Sequence, residues 1–217
     1  MGRGILFSDY HSFRDWNMIL NGNVITLPEP KVYKISVDGR DGDIDLSEGL
    51  TGEIKYNNAS AVFTFLLLEG TYSERQTIID NIVKYVHGKN HKIITDDDIA
   101  HYYYGRCRVT SKSNGLAYGV ITIECDLEPW RYSVAETIVT VNLTSTAQTI
   151  SLYNSGVKTL IPELTVVGSV TIAFDNHSSG LSNGTYKIVD LRLKTGATPI
   201  TVSGSGTLKI VYREGSL

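Results

Sequence analysis

Asp41, Asp43 and Asp45 alternate in the stretch Asp41-Gly42-Asp43-Ile44-Asp45, the spacing with which a calcium loop begins. Carboxylates at every second residue can converge on a hard cation. Such a loop also needs glycine at its sixth position for a sharp turn and glutamate at its twelfth for bidentate ligation. Leu46 and Gly52 stand there instead, so the stretch is expected to be a solvated turn with Asx-type hydrogen bonds. Asp96, Asp97 and Asp98 are consecutive, and consecutive side chains on a strand or turn point in different directions. They too are expected in a solvated turn. His87 and His91 flank Gly88 with no Cys or carboxylate at ligand spacing, and His11, His101 and His177 stand alone. The chain has no Gly-x-Ser-x-Gly, His-Glu-x-x-His, Walker loop or Gly-x-Gly-x-x-Gly. Gly204-Ser205-Gly206 precedes no helix and is expected as a hairpin turn. No catalytic, metal or cofactor residue is assigned, and the chain is expected not to be an enzyme.

The side chains best suited to recognition are tyrosines, 13 of them against 5 Phe and 2 Trp. Tyr is common at protein interfaces because its ring is apolar and its tip polar. Tyr102, Tyr103 and Tyr104 are consecutive, so at least one must face away from the local core. Two cysteines, Cys107 and Cys125, lie on the arms of one expected hairpin. A two-residue turn at Asn114-Gly115 would set Cys107 opposite Thr122 and leave Cys125 on the other face. Buried free thiols are therefore expected.

Bulk properties exclude several partners. With 20 basic and 23 acidic residues and a formal charge of −3, the chain lacks the basic excess that neutralises phosphates, so no sequence-specific nucleic-acid role is expected. The longest largely apolar run, Val62 to Leu68, interrupted only by Thr64, is too short for a membrane helix. Residues 1–7 do not resemble a signal peptide, and Leu6 stands where myristoylation wants Ser or Thr. A cytosolic product is expected, which makes the sequons at Asn58, Asn142, Asn176 and Asn183 chance matches.

One helix is expected, Ser73 to His87, with Ser73 or Thr71 as cap, Glu74 in its first turn and Gly88 just past its end. Its apolar stripe is Ile78, Ile79, Ile82, Val83 and Val86. Strands are expected at Val32–Val37, at Ala61–Leu68 (apolar but for Thr64, as if buried on both faces), at Lys92–Thr95, and in a hairpin of Tyr102–Lys112 with Leu116–Leu127. Pro129 interrupts the last strand, and a boundary is expected near Glu128 to Val134. Beyond it the chain is rich in Thr, Ser, Val, Ile and Gly, with seven short runs: Thr137–Leu143, Gln148–Tyr153, Glu163–Val167, Val170–Phe174, Gly184–Leu193, Pro199–Val202 and Thr207–Tyr212. That pattern predicts a small β-sandwich or jelly roll. The expected fold is mainly β: an α+β domain of sheets with one helix over 1–133, then a β-sandwich over 134–217.

Residues Val37-Asp38-Gly39-Arg40-Asp41-Gly42-Asp43-Ile44-Asp45, then Leu46-Ser47-Glu48-Gly49-Leu50, then the apolar strand Val62 to Leu68, resemble the first domain of the siphophage distal tail protein family. Asp38 replaces that family's frequent Pro. The single helix, the ending Glu128-Pro129-Trp130, the stretch Asn154 to Gly156 with Pro162-Glu163-Leu164-Thr165-Val166, and the terminal Ile210 to Leu217 also fit the pattern.

The resemblance implies a belt domain that closes into a homohexameric ring, with a galectin-like sandwich outside it. The ring would join the tail tube protein to the tail-associated hub or fibre protein. The second domain would anchor a receptor-binding protein or meet a host saccharide. The location implied is the virion tail tip, assembled in host cytoplasm, with no membrane partner. Gly39, Arg40, Asp41 and Gly42 of the turn, and Tyr102, Tyr103 and Tyr104, are the expected subunit contacts. The alternative is a carbohydrate-binding module contacting host glycans by aromatic stacking. Its weakness is that Tyr153, Phe174, Tyr186 and Tyr212 are the only aromatics after Tyr132. A wall hydrolase would need paired carboxylates in a cleft, for which the sequence has no signature.

Overall fold

The computed structural model describes residues 3–49 and 51–217; Met1, Gly2 and Leu50, and with them the end of the acidic-to-glycine segment, lie outside the described residues. Two compact units are present, Met1–Arg131 with Leu217, and Tyr132–Ser216.

The first unit is built on one antiparallel sheet. Its strands are β1 (Ile5–Phe7), β2 (Tyr10–His11), β3 (Ile19–Thr26), the small outlying pair β4 (Lys34–Ile35) and β5 (Ile44–Asp45), β6 (Ala59–Leu67), β7 (Lys89–Thr95), β8 (Asp98–Asn114) and β9 (Gly119–Leu127). The main sheet runs β2-β1-β7-β8-β9-β6-β3. Helix α1 (Tyr72–Val86) connects β6 to β7. Thr71 caps it, in a capping box with Glu74 that satisfies two otherwise orphaned N–H groups. The helix seats Ile79, Ile82 and Val86 in a core with Phe7, Phe63, Phe65, Ile121 and Ile123.

Strand β6 alternates buried and open positions, with Ala59, Ala61, Phe63, Phe65 and Leu67 inward. The apolar run is therefore buried on one face, not on both as expected. Val62, on the open face, is 38% exposed. Strands β1 to β3 were not visible as an alternating pattern, because each is short or carries polar residues on both faces.

The cysteines correct the sequence reading. The β8–β9 loop holds four residues, between Asn114 and Gly119, and a bulge at Thr110 adds one residue to β8. Together these shift the register by an odd number, so Cys107 faces Cys125. Their Cα atoms are 4.1 Å apart, and the pair is joined as a disulfide within the core. The expected free thiols and the two-residue turn are both wrong.

Strand β10 (Arg131–Ser133) leads into the second unit, whose strands are β11 (Thr137–Leu143), β12 (Gln148–Asn154), β13 (Glu163–Phe174), β14 (His177–Leu181), β15 (Gly184–Tyr186), β16 (Gly196–Tyr212) and β17 (Gly215–Ser216). The expected breaks within 163–174 and 199–212 do not occur: β13 and β16 are long and pair with each other without interruption from Glu163↔Val211 to Ala173↔Thr201. Strand β16 pairs with β11 in one half and β12 in the other, while β13 pairs with β15 and then β14. Each long strand thus serves both halves of a sheet that curls over its own core of Leu152, Leu164, Ile172, Ile200, Leu208 and Ile210.

Gly204-Ser205-Gly206 is no hairpin turn; it lies mid-strand at the corner. A Cβ on Gly168 would stand 2.0 Å from the Ser205 carbonyl oxygen, and one on Gly206 would stand 1.9 Å from that of Val167. Both glycines have positive φ, so only glycine permits the backbones to approach and turn together there. Asn154 is fully buried, donating to the Lys158 and Leu193 carbonyls and accepting from Gly156 N–H. Its place in the Asn154–Gly156 stretch is structural.

Candidate assembly interface

Register sets out the geometry of the first unit. Thr26 pairs with Ser60 and Ala59 with Leu127, while Leu67 pairs with Gly119 at the other end. The segment between β3 and β6, residues 27–58, therefore leaves one end of the sheet. The β8–β9 loop stands at the opposite end.

That segment is an arm. At its root Pro30 bridges to Tyr56, Lys31 N–H donates to the Lys55 carbonyl at 2.7 Å, and Asn57 N–H to that of Glu29 at 2.8 Å. Trp130 meets the Tyr56 ring edge-on at 5.4 Å, which ties the root to the end of the unit. Further out, Leu46 N–H donates to the Tyr33 carbonyl and Tyr33 N–H to Ser47 Oγ. Asp45 accepts from the hydroxyl and N–H of Ser47, which hold its carboxyl below the ordinary range. Arg40 N–H donates to the Val37 carbonyl at 3.2 Å, and Gly39 and Gly42 take φ of 81° and 74°. The arm's outer turn is thus the Gly39–Gly42 stretch between β4 and β5, while Asp45, at the inner end of β5, is spent on holding Ser47.

The arm leaves its apolar side chains open. Val32 is 57% exposed, Tyr33 61% and Leu46 42%. They line an open groove of about 530 Å³ whose other walls include Lys31, Ser47, Thr51 and Lys55. An isolated two-stranded ribbon is marginal in water, and contiguous exposed apolar surface marks a place where something binds.

Tyr102, Tyr103 and Tyr104 lie on β8 beside β7. Tyr103 packs against the core, and burial pushes its hydroxyl pKa up. Tyr102 carries the Lys92 ammonium over its ring at 4.4 Å. Tyr104 is exposed, and its carbonyl accepts Glu128 N–H. Strand pairing does not bring these residues together with Gly39, Arg40, Asp41 and Gly42: β4 and β5 pair with each other, apart from the main sheet.

The other candidates have structural partners. Asp96 accepts from Gly4 N–H and lies 3.1 Å from His11 Nε2; burial disfavours its charge, but these contacts outweigh that and hold its pKa down. Asp97 pairs with Arg3. Asp98 meets both His101 and Arg131. The three carboxylates share no partner. His87 Nδ1 accepts from Val109 N–H, and His177 stacks on Phe174. Among the described residues no group of His, Cys, Asp and Glu is arranged to hold a metal, and no helix is long and apolar enough to cross a membrane. In the second unit Phe174 and Tyr212 are buried and Tyr186 is half-buried, so of the four late aromatics only Tyr153 has a widely exposed ring.

Two features escaped the sequence reading. Arg75 is buried, at 2% exposure, and its guanidinium donates to the Gly70, Gly115 and Leu116 carbonyls and to Asn114 Oδ1. It lies one helical turn before Ile79, on the buried stripe, and that spacing was its signal. Leu116, at the tip of the loop that Arg75 holds, is 97% exposed. Nothing in its local sequence distinguishes it.

No protein-family model and no curated protein matches the chain. Among solved structures it matches the SPP1 Dit (gp 19.1) protein, described as a paradigm of the hub adsorption apparatus in phages infecting Gram-positive hosts, over 100% of both chains at 13% identity with a TM-score of 0.74. Two structures of the phage P2 baseplate in its activated conformation, with Ca and with Sr, match over 99% of this chain and 98% of theirs at 6% identity, with TM-scores of 0.48 and 0.49, too distant to add to the assignment. What 13% identity over the full length of both chains shows is the fold: this chain has the fold of a phage tail hub protein.

Proposed function

We infer that the chain is a structural protein of a phage tail tip, a distal tail protein whose first unit forms a homohexameric ring. The ring joins the tail tube to the tail-associated hub or fibre protein. The second unit, galectin-like in fold, anchors a receptor-binding protein. The observation that carries this reading is the full-length likeness to the SPP1 Dit protein, with neither chain left over.

The arm supports it on physical grounds. A ring subunit needs two different, mutually complementary surfaces, because heterologous contacts close by rotation. An arm with open apolar side chains is one such surface. The open face of the main sheet also suits a conduit for DNA, since Arg108 there is neutralised by Glu124 at 2.9 Å, so the pair presents no net positive charge to hold phosphates.

Light-scattering mass across a concentration series, alone and with the tail tube protein, tests the reading. A particle of six times the 23.9 kDa chain mass is expected. Monomer under both conditions would overturn it. Replacing Arg40, on the exposed outer turn, with Glu should impair assembly while leaving the far-UV spectrum and melting temperature of the monomer unchanged. Normal rings from that variant would remove the turn from the interface.

A further inference from the structure

We propose that two copies of this chain meet head to tail, with Leu116 at the β8–β9 loop of one seated in the arm groove formed by Val32, Tyr33 and Leu46 of the next. This rests on the ring reading and names its contact. Leu116 is a rigid knob rather than a loose tip. The buried Arg75 guanidinium grips the carbonyls of Gly115 and Leu116 at 2.8 and 3.1 Å, and Asn114 donates to the Tyr72 carbonyl at 2.8 Å. A buried cation spent on three backbone carbonyls orders this loop, and the ordered loop presents a nearly fully exposed Leu with Tyr118, itself half exposed, beside it. Ordering an apolar tip before contact lowers the entropy lost on docking.

The knob cannot fill the groove of its own chain. Strand β6 runs from Ala59, at the arm end, to Leu67, at the loop end. Eight steps of about 3.3 Å place the two features roughly 26 Å apart, and the arm leads away from the loop. Knob and groove at opposite ends of one unit make a heterologous pair, the kind that closes a ring.

Charge favours the same occupant. The groove walls carry Lys31 and Lys55, the latter paired with Glu53 at 3.0 Å, so this group of three is net positive by one charge. The foot of the knob sets Glu69, which precedes Gly70, and Glu74, which lies against Gly70, beside the single guanidinium of Arg75, so it is net negative by one charge. Each copy thus offers an apolar knob and an apolar groove of opposite, modest charge.

Leu116→Cys and Val32→Cys chains, carrying tags of different size, are mixed at high concentration and treated with a short bis-maleimide. Both positions are exposed, so neither change disturbs folding. A cross-linked heterodimer is expected in the mixture, with at least about tenfold less product from either chain alone. In parallel, the mass of Leu116→Asp is compared with that of the unaltered chain. Hexamers from Leu116→Asp, or knob-to-knob cross-links, would overturn this contact and leave the ring standing. No cross-link, with monomer for the unaltered chain even beside the tail tube protein, would overturn contact and ring together. A cross-link from Leu116→Cys to the tail tube protein alone would assign the knob to that partner and overturn the self-contact.

Discussion

The first unit contains two long antiparallel excursions of similar length, and they are supported in opposite ways. The β8–β9 hairpin has α1 on its inner face, β6 and β7 on its edges, a disulfide between its strands and Arg75 clamping its loop. The arm of residues 27–58 has a hydrogen-bonded root, an aromatic contact from Trp130, a hydrogen bond from Asn58 to Asp126 on β9 and its own internal pairing. Its apolar residues are fewer than the hairpin's, and Val32, Tyr33, Ile35, Val37 and Leu46 among them stay open. The same residue types stabilise folding in one hairpin and are left for binding in the other. What differs is whether a second layer covers them.

The largest expected effect breaks that comparison most directly. Phe63 is fully buried between Phe7 and Phe65. Phe63→Ala should cost about 3–5 kcal/mol in the chemical denaturation of the first unit. Tyr33→Ala on the arm should change it by less than about 0.5 kcal/mol, as for exposed positions generally. Comparable losses from both would mean that the arm belongs to the folded core.

Next in size is the disulfide. Cys107 and Cys125 are 18 residues apart, and closing a loop of that size restricts the unfolded chain by roughly 3 kcal/mol. Reductant, or the paired Cys107→Ala and Cys125→Ala change, should lower the denaturation midpoint of the first unit and leave the second unit's transition in place. A midpoint indifferent to reductant would show that the thiols are not joined in solution. Smaller again is Arg75→Met, which keeps the buried stem and strips the donors from the Gly70, Gly115 and Leu116 carbonyls. A cost of about 1–3 kcal/mol is expected. Hydrogen exchange should rise at 114–118 well before it rises in β6. Uniform acceleration across the sheet would contradict a local clamp.

The sequence carried what depends on local pattern and lost what depends on register. The helix at 72–86 was legible from its stripe, the Thr71–Glu74 box and Gly88, all within one segment. The sandwich of the second unit was legible from alternation and composition. Its long strands were not, because Gly168, Gly204 and Gly206 read as turn residues when they are a corner where two backbones touch. The cysteine pairing was lost by a four-residue loop and one bulged residue, which periodicity does not report. For the proposed interface, the outer turn 39–42 and the tyrosines at 102–104 are candidates that residue type alone singles out. The groove of Val32, Tyr33 and Leu46 could not, since residues that look like a strand core are exposed here only because no layer covers them. Leu116 is legible only with the loop and Arg75 in view.

The smallest expected effect concerns how the first unit responds to acid. His91 is 4% exposed, on β7, with the Phe7 ring edge-on at 6.2 Å and Tyr85 tilted at 5.1 Å. Its Nδ1 lies 3.3 Å from Ser8 Oγ, and its Nε2 is buried without a hydrogen-bond partner. Burial disfavours the imidazolium and Lys89 adds to that; the Tyr85 and Val86 backbones and Asp9 favour charge but do not compensate, and the pKa ends below its ordinary 6.5. The unfolded chain therefore binds the proton at a higher pH than the folded one. As pH falls through 6.5 toward the folded value, the unfolded state gains a proton that the folded state does not, and stability drops; below the folded value the loss stops growing. His91→Phe removes the group and keeps an aromatic ring beside Phe7. Its stability between pH 7 and pH 5 should fall less steeply than that of the unaltered chain. Parallel slopes would show that His91 takes up its proton without cost, and that the pocket between β1 and α1 opens to water as readily as the arm.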